Sequence, residues 1–469
     1  MSADQAGLLV PDPPVTSLED YRDRGGGQGL ERARELGPEL TVKELRLARL
    51  RGRGGGGFPT GDKWASIRAA SGRHRYAVCN AAEGEPATFK DRAILRANPY
   101  QVVEGLAIAA LTVGAREAFI GVKASFGPER EGLTRAAQEL ARAGLLEGLT
   151  VSIAAGPDEY LFGEEKALLE VIEGNDPLPR LLPPFIHGLF ATAPQLGWEA
   201  HAPETGHVAE HESNPTLVNN CETLANVPHI LSRGAEWFRS LGTEASPGTI
   251  VCTIVGDVAR PTVVELEMGT TLAELVERGG GPLPGRTLKA AFSGVANAVI
   301  RARDLGTPMT YEDMKAIGSG LGAAGFAVYD DSACMVEVAR AFSRFLAVES
   351  CGQCPPCKLG SGQITNALEQ LQAGRATDDD IERIGGWLRS VTDGNRCYLA
   401  VEEQVLVSSI LQAFPDEVAA HLDAPCPLPR PILVPKIVDL GDGRVVYDER
   451  QARKRPDWTY EGEPAARVG

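Results

Sequence analysis

Four cysteines in the last third of the chain have the spacing of iron–sulfur ligands. Cys351, Cys354 and Cys357 form a C-x-x-C-x-x-C run, and Cys397 follows further along the chain. Three closely spaced thiolates and one distant thiolate can hold the corners of a cubane cluster. The pattern therefore indicates a [4Fe–4S] cluster and a function in electron transfer.

Two other uses of these cysteines stay open from the spacing alone. Four thiolates can hold zinc tetrahedrally, although structural zinc sites usually consist of two separated C-x-x-C pairs. Disulfides need an oxidising compartment, to which nothing in the sequence points. The remaining cysteines are scattered, and a lone cysteine is usually a small buried apolar group; they are Cys79, Cys221, Cys252, Cys334 and Cys426.

A glycine-rich loop in the first part of the chain is the second candidate for chemistry. It reads RGRGGGGFPTGDKW and extends over residues 51–64. Glycine lets the backbone approach a ligand closely, and successive N–H groups suit a phosphate. Because Arg51, Arg53 and Lys63 bracket the loop, we interpret it as the site of a phosphate-bearing ligand, with a flexible hinge as the alternative.

A predicted strand, RYAVCN, runs directly into the acidic stretch AAEGEPATFKDR. The carboxyl end of such a strand is the usual position of an α/β active site, which makes Glu83 and Glu85 candidates, although they could be solvated acids. A cluster moves one electron at a time, whereas soluble reductants deliver a hydride. A flavin connects the two, so the sequence suggests a flavin-plus-cluster electron-entry module.

Hydrophobic periodicity predicts the elements that position these residues. Apolar residues at helical spacing before Cys351 predict a helix that ends at that ligand, and further helices follow up to Leu411. Gly394 is expected to end the helix before Cys397. Earlier in the chain, helices at 100–114 and 128–144 alternate with strands at 117–122 and 149–154, which indicates a mainly parallel sheet. After Thr249, a strand–strand–helix–strand pattern predicts a β-grasp-type module without chemistry of its own.

Composition excludes several classes of protein. The chain has 469 residues and a formal charge of 47 − 63 = −16, which argues against nucleic acid as a partner. Its longest apolar stretch, at 102–115, is too short to span a bilayer. No signal-peptide pattern opens the sequence, so a cytoplasmic location is expected. A loop with His187, His201, His207 and His211 lacks metal-ligand spacing and is interpreted as a lid or docking surface.

Five motifs in order carry a resemblance to a known family: RGRGGGGFPTGDKW, NAAEGEPATFKDR, GEEKAL, LVNNCETLANVPHI and ESCGQCPPCKLG with its later cysteine. They resemble the flavoprotein F subunit of respiratory NADH dehydrogenase and the diaphorase subunits of NAD-linked hydrogenases and formate dehydrogenases. The resemblance covers residues from about 45 to about 422. It implies an α/β FMN/NADH-binding domain, a β-grasp (SLBB-like) module and an all-α iron–sulfur helical bundle.

The resemblance also implies domain bounds, cofactors and partners. We expect an N-terminal arm at 1–45, the FMN/NADH domain at 46–245, the β-grasp domain at 246–330, the [4Fe–4S] domain at 331–422 and a C-terminal extension at 423–469. The expected activity is NADH dehydrogenase, with a hydride passing from NADH to FMN and single electrons to the cluster. The expected acceptor is a thioredoxin-like [2Fe–2S] subunit or a ferredoxin, and any membrane attachment would run through partners.

Site residues follow from the resemblance position by position. No side chain is expected to be catalytic, because the hydride chemistry belongs to FMN. Gly52, Gly54, Gly55 and Lys63 would hold FMN or nucleotide; Asn80, Asn219, Asn220 and Thr223 would bind flavin; Glu83, Glu85, Tyr160, Glu164 and Glu165 would line the NADH side; Cys351, Cys354, Cys357 and Cys397 would bind the cluster.

The chain also departs from the family pattern near the expected nucleotide. Ala82 replaces an aspartate, Gly84 a serine, Ser66 an aromatic residue and Lys166 a threonine, and residues 186–213 read as an insertion. These changes bear on nucleotide and flavin affinity and leave the cluster cysteines untouched. The alternative function is therefore an electron-relay or scaffold subunit that keeps the cluster but does not oxidise NADH.

Overall fold

A computed structural model of the chain describes residues 7–193, 212–422, 424–428 and 430–462. In this part of the chain the helices are α1 (Leu18–Asp23), α2 (Gln28–Ala48), α3 (Thr60–Ala69), α4 (Lys90–Ala97), α5 (Pro99–Val113), α6 (Gly127–Arg142), α7 (Glu165–Ile172), α8 (Cys221–Arg233), α9 (Ala235–Arg239), α10 (Leu272–Arg278), α11 (Tyr311–Ala316), α12 (Met335–Glu349), α13 (Pro355–Gln372), α14 (Asp378–Ser390), α15 (Leu399–Ala413) and α16 (Pro415–Ala420).

The strands of the described residues are β1 (Tyr76–Ala81), β2 (Glu117–Lys123), β3 (Thr150–Gly156), β4 (Thr216–Asn220), β5 (Thr249–Gly256), β6 (Thr262–Glu267), β7 (Leu288–Ser293), β8 (Ile300–Arg301), β9 (Gly325–Asp330), β10 (Ile437–Gly441) and β11 (Arg444–Tyr447). Short 3-10 turns lie at Tyr160–Gly163, Ala302–Asp304 and Glu449–Arg453. No helix among the described residues combines the length and the apolar character needed to cross a membrane.

The first sheet is parallel throughout, as the alternation of helices and strands predicted. Its strand order is β3-β2-β1-β4, and Asn80 on β1 lies in register with Asn220 on β4. Helix α5 is almost wholly buried beneath this sheet, between α2 and α8. Asn98 caps its start and Pro99 occupies its first turn, which fixes where the helix begins. The carboxyl ends of β1 and β4 thus open on the same edge of the sheet.

The expected arm before residue 45 packs on this domain through a buried acid. Glu104 on α5 accepts hydrogen bonds from the Tyr21 hydroxyl at 2.6 Å, the Gly27 N–H at 2.7 Å and the Leu30 N–H at 2.8 Å. Three donors satisfy a carboxylate that would otherwise be costly to bury. The N-terminal helices are therefore fastened to the α/β domain.

The second sheet contains the predicted strand–strand–helix–strand pattern as β5, β6, α10 and β7. It has the order β6-β5-β9-β7-β8, in which β5 and β9 are parallel and the other pairs antiparallel. Helix α10 begins with a capping box in which Thr271 and Glu274 bond each other's backbone N–H groups. This arrangement agrees with the β-grasp expectation.

The four helices α12 to α15 form the predicted bundle around the cysteines. Helix α12 ends at Glu349, just before Cys351, and α13 begins directly after Cys354. Thr377 caps α14 in a capping box with Asp380. Helix α14 ends at Ser390 and not at Gly394, because the buried Val391 is its C-cap and a turn follows.

The C-terminal segment folds back onto both larger units. Strands β10 and β11 form a hairpin, which turns at Asp442 and Gly443. The carbonyl oxygens of Ile437 and Val438 accept hydrogen bonds from Arg92 on α4. Further along, Lys454 forms a fully buried ion pair with Glu349 at the end of α12, with an N–O distance of 2.9 Å. The extension is thus part of the folded body.

Glu403 on α15 makes the stability of the bundle depend on pH. The carboxyl is buried and accepts a hydrogen bond from the Ser343 hydroxyl at 2.6 Å, and burial raises its pKa to about 8. A carboxyl with a raised native pKa stabilises the fold fully below its unfolded pKa of about 4.3, and this contribution is lost as the pH rises. For Glu403 the loss extends through about pH 8.

The substitution Glu403→Gln, which imitates the protonated acid, should therefore stabilise the protein by about 1–2 kcal/mol at about pH 9 and change it little at about pH 5. Thermal unfolding followed by circular dichroism at both pH values measures this. Glu382→Gln on the exposed face of α14 is the matched control. If Glu403→Gln and Glu382→Gln changed the stability by the same amount at both pH values, the raised pKa of Glu403 would not be the cause of the pH dependence.

Candidate active site

A cavity of ≈ 580 Å³ lies where the α/β domain, the β-grasp module and the helical bundle meet. Its volume is in the range of cavities that hold cofactors and small ligands. All three units contribute to the wall: the α/β domain gives 54–56, 80–91 and 160–164, the β-grasp module gives 296–297 and 322–323, and the bundle gives 397–402. The β-grasp module, from which the sequence predicted no chemistry, therefore takes part in the site.

The cavity collects most of the residues that the family resemblance implied. Those in its wall are Gly54, Gly55, Asn80, Glu83, Glu85, Tyr160, Glu164 and Asn220. The others lie behind the wall or beside it: Gly52, Lys63, Glu165, Asn219 and Thr223. Asn219 accepts a hydrogen bond from the buried Trp64 indole at 2.7 Å, and Thr223 accepts one from the Arg53 backbone N–H at 2.8 Å.

Two glycines let the loop form one wall of the cavity. A Cβ atom on Gly54 would come within 3.0 Å of the Asn220 Cβ atom, which is closer than side chains normally pack. Gly55 has φ +112°, a conformation that other residues rarely adopt. The loop is closed at its base by a hydrogen bond from the Gly52 N–H to the Phe58 carbonyl at 2.9 Å. The backbone can therefore approach a ligand directly.

The three cations that bracket the loop do not line this cavity. The Arg53 guanidinium is buried and donates to the Pro247 and Thr249 carbonyls. Arg51 lies over the Tyr311 ring at 3.9 Å, and Lys63 pairs with Glu165 at 3.0 Å. Their charges are therefore engaged by backbone carbonyls, an aromatic face and a carboxylate, which anchor the loop.

Lys90, which the sequence did not single out, is the cation in the wall. Its side chain is buried and lies 2.8 Å from Asp91, 2.9 Å from Glu222 and 3.2 Å from the Asn220 amide oxygen. Burial alone would lower the pKa of Lys90, but the two carboxylates outweigh it and hold the pKa above its ordinary value. Burial also raises the pKa of Asp91, to about 6. Lys90 therefore stays charged.

On another part of the wall, Tyr160 connects two carboxyl groups. Its hydroxyl lies 2.6 Å from Glu85 Oε2 and 3.0 Å from Glu402 Oε1. A phenol has one proton to donate, so the second contact needs a proton on a carboxyl group. Burial raises the pKa of Glu402 well above its ordinary value, and the charge of Glu85 raises it further. We assign the proton to Glu402, which donates to Tyr160, while Tyr160 donates to Glu85.

This row of acids is held from several sides. Glu85 Oε1 accepts the Val295 N–H at 2.6 Å, which connects it to the β-grasp module. The Tyr160 ring packs edge-on against Phe345 of α12, with centroids 5.3 Å apart. The second oxygen of Glu402 is buried and has no hydrogen-bond partner among the described residues. Because Glu402 borders the cavity, this oxygen is suited to a polar group of a ligand.

Glu83 and Glu164 are structural caps as well as wall residues. Glu83 accepts the Asp91 N–H at 3.0 Å and pairs with Arg92 at 2.8 Å, which holds the start of α4. Glu164 accepts two backbone N–H groups at the start of α7. Burial raises the pKa of Glu164 to about 7. The acids that the sequence offered as ligand contacts or solvated groups are thus fixed in position by the backbone.

The four cysteines of the spacing pattern come together beside this cavity. Cys351, Cys354, Cys357 and Cys397 line one small pocket with Leu161 and Ser350. Burial raises the pKa of Cys357 to about 11 and that of Cys397 to about 12. Cys354 is the N-cap of α13, so the positive end of that helix faces the ligand loop. Such a site favours a bound group that carries negative charge.

The donor set fits a cluster better than a single ion. Zinc draws its ligand atoms to within about 3.6–3.8 Å of one another, as its bond lengths require. Over the described residues, no three of these four sulfurs meet within 4.8 Å. Thiolates that each bind a different iron of a cube stand further apart. Cys397 also lines the larger cavity, as do Leu161 and Leu399, so the two sites share a wall.

Several residues of the cavity wall carried no sequence signal. Glu402 and the 322–323 turn belong to none of the five motifs, whereas Lys90 stands inside NAAEGEPATFKDR but is not distinguished there from its neighbours. The proposed histidine loop falls mostly outside the described residues: His201, His207 and His211 are not described, and His187 is buried. Of the departures, Ala82 is buried in the wall, Ser66 is exposed on α3, and Lys166 donates a hydrogen bond to the Arg396 carbonyl beside Cys397.

Comparison with known proteins identifies three family regions in the chain. The Nuo51 FMN-binding domain matches residues 45–229, the SLBB domain 251–292, and the NADH-ubiquinone oxidoreductase-F iron–sulfur binding region 337–421. The chain is 38% identical to the second F subunit of the NADH-quinone oxidoreductases of Rhizobium meliloti, over 88% of this chain and 96% of the relative. It is 34% identical to the NADH-quinone oxidoreductase F subunit of Streptomyces coelicolor, over 87% and 88%.

Two further similarities concern hydrogenases. The chain is 33% identical to the NADP-reducing hydrogenase subunit HndC of Solidesulfovibrio fructosivorans, over 89% of this chain and 82% of the relative. A crystal structure of an NAD+-reducing [NiFe]-hydrogenase in the H2-reduced state superposes with a TM-score of 0.75 at 31% identity, over 87% of this chain and 67% of that chain. The similarity therefore extends through all three units around the cavity.

Proposed function

Because the chain belongs to the family of NADH-quinone oxidoreductase F subunits, it is an NADH-oxidising flavin and iron–sulfur protein, and we propose that FMN binds in the cavity behind the glycine loop. When bound, FMN accepts a hydride from NADH and passes single electrons to the [4Fe–4S] cluster. One observation carries the proposal: Cys397 lines both the cavity and the cysteine pocket. A cluster ligand is therefore in direct contact with the cavity, which would make the path for electrons between the two sites short.

We assign the glycine loop and Lys90 to the phosphate of FMN. Gly54 and Gly55 expose backbone N–H groups to the cavity without side chains in the way. Lys90 supplies a positive charge that its carboxylate neighbours keep in place at all working pH values. Asn80 and Asn220, side by side at the ends of β1 and β4, supply polar contacts for the flavin. Gly52, Lys63, Asn219 and Thr223 act behind them and keep the loop in place.

We assign the NADH-facing side of the cavity to the acidic row, which consists of Glu85, Tyr160 and Glu402. Glu85, Tyr160 and Glu402 share protons through short hydrogen bonds, so this wall can accept a polar ligand group and adjust its own charge. Glu83 and Glu164 border the same space, and Glu165 fixes Lys63 from outside it. Ala82 keeps the wall small and apolar where relatives of the motif have an aspartate. The described residues keep several polar side chains on this wall, which favours NADH oxidation over the electron-relay alternative.

An anaerobic titration of the cluster-reconstituted, FMN-loaded chain with NADH tests this function. We expect the flavin absorbance to bleach and the electron paramagnetic resonance signal of a reduced cluster to appear as NADH is added. Dithionite, which reduces both groups without a nucleotide site, is the positive control. Reduction by dithionite but not by excess NADH would overturn the proposal and support a relay subunit.

Partner subunits follow from the names of the relatives, which are subunits of larger enzymes. We propose that the acceptor is a thioredoxin-like [2Fe–2S] subunit or a ferredoxin that docks beside the cysteine pocket. Two large apolar side chains near the ligands in sequence are exposed: Leu359, two residues after Cys357 on α13, has 65% of its surface exposed, and Tyr398 directly follows Cys397. The expected location stays a prediction: cytoplasmic, and peripheral to a membrane only through such partners.

The docking face can be tested with one charged substitution. Leu359→Glu should raise the KM for ferredoxin about tenfold when ferredoxin accepts electrons from the reduced cluster of this chain. The reason is that the substitution places a charge in an apolar contact. Reduction of the flavin by NADH should not change. Val446→Glu, on the exposed C-terminal hairpin, is the matched control. Identical acceptor kinetics for the two variants would rule out this face.

A further inference from the structure

Two cysteines that lie apart in the sequence meet a histidine outside the electron-transfer site. Within the described residues, the ligand atoms of Cys334, His421 and Cys426 all lie within 4.8 Å of one another. The Cys334 sulfur is 3.4 Å from His421 Nε2. Cys334 and His421 are buried, and Cys426 is partly exposed. The sequence suggested that Cys334 and Cys426 are isolated cysteines. In the structure they lie close to each other and to His421.

The imidazole of His421 is oriented as a ligand would be. Its Nδ1 lies 2.6 Å from the backbone carbonyl oxygen of Glu417. A carbonyl oxygen only accepts, so Nδ1 carries the hydrogen and Nε2 presents its lone pair to the sulfur of Cys334. A hydrogen bond from the second ring nitrogen to a carbonyl is the arrangement that metal-binding histidines show.

Each of the three residues is also fixed by its own element. Cys334 is the N-cap of α12, and His421 is the C-cap of α16. The Glu417 side chain binds these helices together, since its Oε2 accepts the Met335 N–H at 2.8 Å. The Cys426 N–H donates to a carbonyl at the end of α13 at 3.1 Å. The ligands thus converge from three separate segments of the chain.

We propose that Cys334, His421 and Cys426 bind one Zn²⁺ ion that fastens α12, α16 and the C-terminal segment together. Binding would replace the two thiol protons, which pass to solvent, and leave both sulfurs as thiolates. The partly exposed side of Cys426 leaves the fourth position open to a water molecule. The proposal is independent of the function of the flavin cavity.

The chemistry of the three donors favours zinc. Thiolate and imidazole together are typical ligands of Zn²⁺, whose bond lengths place tetrahedral ligand atoms about 3.6–3.8 Å apart. The 3.4 Å between sulfur and Nε2 is already close to that spacing. Helix α12 has 15 residues, so about 22 Å of helix separates this site from the iron–sulfur loop at the other end. Because zinc has no redox chemistry, the site would not be a further electron carrier.

Metal analysis of the complete FMN- and cluster-loaded protein, produced with zinc in the growth medium, tests the proposal. We expect about one zinc per chain beside the cluster iron, and a zinc-edge X-ray absorption spectrum with two sulfur ligands and nitrogen or oxygen neighbours. Cys426→Ser and His421→Gln should each lower the zinc content at least about tenfold. Cys252→Ser, a buried cysteine of β5 outside the cluster, is the matched control and should keep the zinc.

Two results would overturn this assignment. The first is a wild-type protein that contains no zinc. Zinc that both ligand variants retain would count in the same way, because it would show that the metal is adventitious. The second is an intact mass and thiol count showing a disulfide between Cys334 and Cys426. The absorption spectrum of the wild type decides the ligand set even if a variant fails to fold.

Discussion

Replacement of Lys90 by methionine should lower the free energy of unfolding by about 3–5 kcal/mol, because it leaves buried carboxylates without their cation. Lys90 lies 2.8 Å from Asp91 and 2.9 Å from Glu222, and the three side chains are at most 5% exposed. Methionine has nearly the length of lysine. The loss of stability therefore measures the removal of the positive charge more than a change in side-chain volume. Denaturant unfolding followed by circular dichroism measures it.

The matched control is an ion pair of similar length on the surface. Arg46 and Asp62 are 2.7 Å apart, but about half of each side chain is exposed. Arg46→Met should therefore cost no more than about 1 kcal/mol. Equal losses in the two variants would contradict the view that burial makes the Lys90 pair essential.

The loss at Lys90 should also depend on pH. The pKa of Asp91 is already raised by burial, to about 6, and without the lysine it would rise further. In the variant Asp91 can take up a proton more readily at about pH 5 than at about pH 8, so the destabilisation should be larger at the higher pH. We also expect the variant to release FMN on gel filtration, since Lys90 is the cation in the cavity wall.

The second large effect is expected from Cys397→Ser. Substitutions that only disturb the surroundings of a metal ligand typically cost about 10–100-fold in affinity, and loss of a ligand costs more. The variant should lose the paramagnetic signal of the reduced cluster, and electron transfer from NADH to a ferredoxin should fall by more than about 100-fold. Both follow from the position of Cys397 between the cavity and the pocket.

Cys252→Ala separates this effect from the loss of any buried thiol. Cys252 is fully buried in β5 and far from the pocket lining, so its removal should cost stability but neither cluster nor electron transfer. NADH should still bleach the flavin of the Cys397→Ser protein. A normal cluster signal in that variant would show that the fourth ligand lies elsewhere.

Local patterns predicted the elements of this protein well. The strand before Asn80 and the helices at 100–114 and 128–144 are each determined by neighbouring residues, and the structure contains them as β1, α5 and α6. The four cluster cysteines were also predictable, since three of them are neighbours in sequence. Elements and ligands whose signal is local in the chain can be found without the fold.

The rest of the site depends on contacts between distant segments. Glu402 reaches Tyr160, and Lys90 reaches Glu222, across more than a hundred residues in each case. No periodicity predicts either contact, although Lys90 and Glu222 each stand in one of the five motifs, and an acid on a helix looks the same whether it faces water or a cavity. Arg53 shows the converse, because a cation beside a glycine loop suggested a phosphate contact and instead holds backbone carbonyls.

The cavity has walls from three units that follow one another along the chain, and this has a consequence for biogenesis. When synthesis has reached the end of the α/β domain, the glycine loop and β1 exist, but Gly322, Ala323, Tyr398 and Glu402 do not. Domains generally fold in order as they leave the ribosome. A nascent chain that ends there therefore has the α/β part of the cavity wall but lacks the rest, and we expect the cavity to be complete only after the helical bundle has been translated.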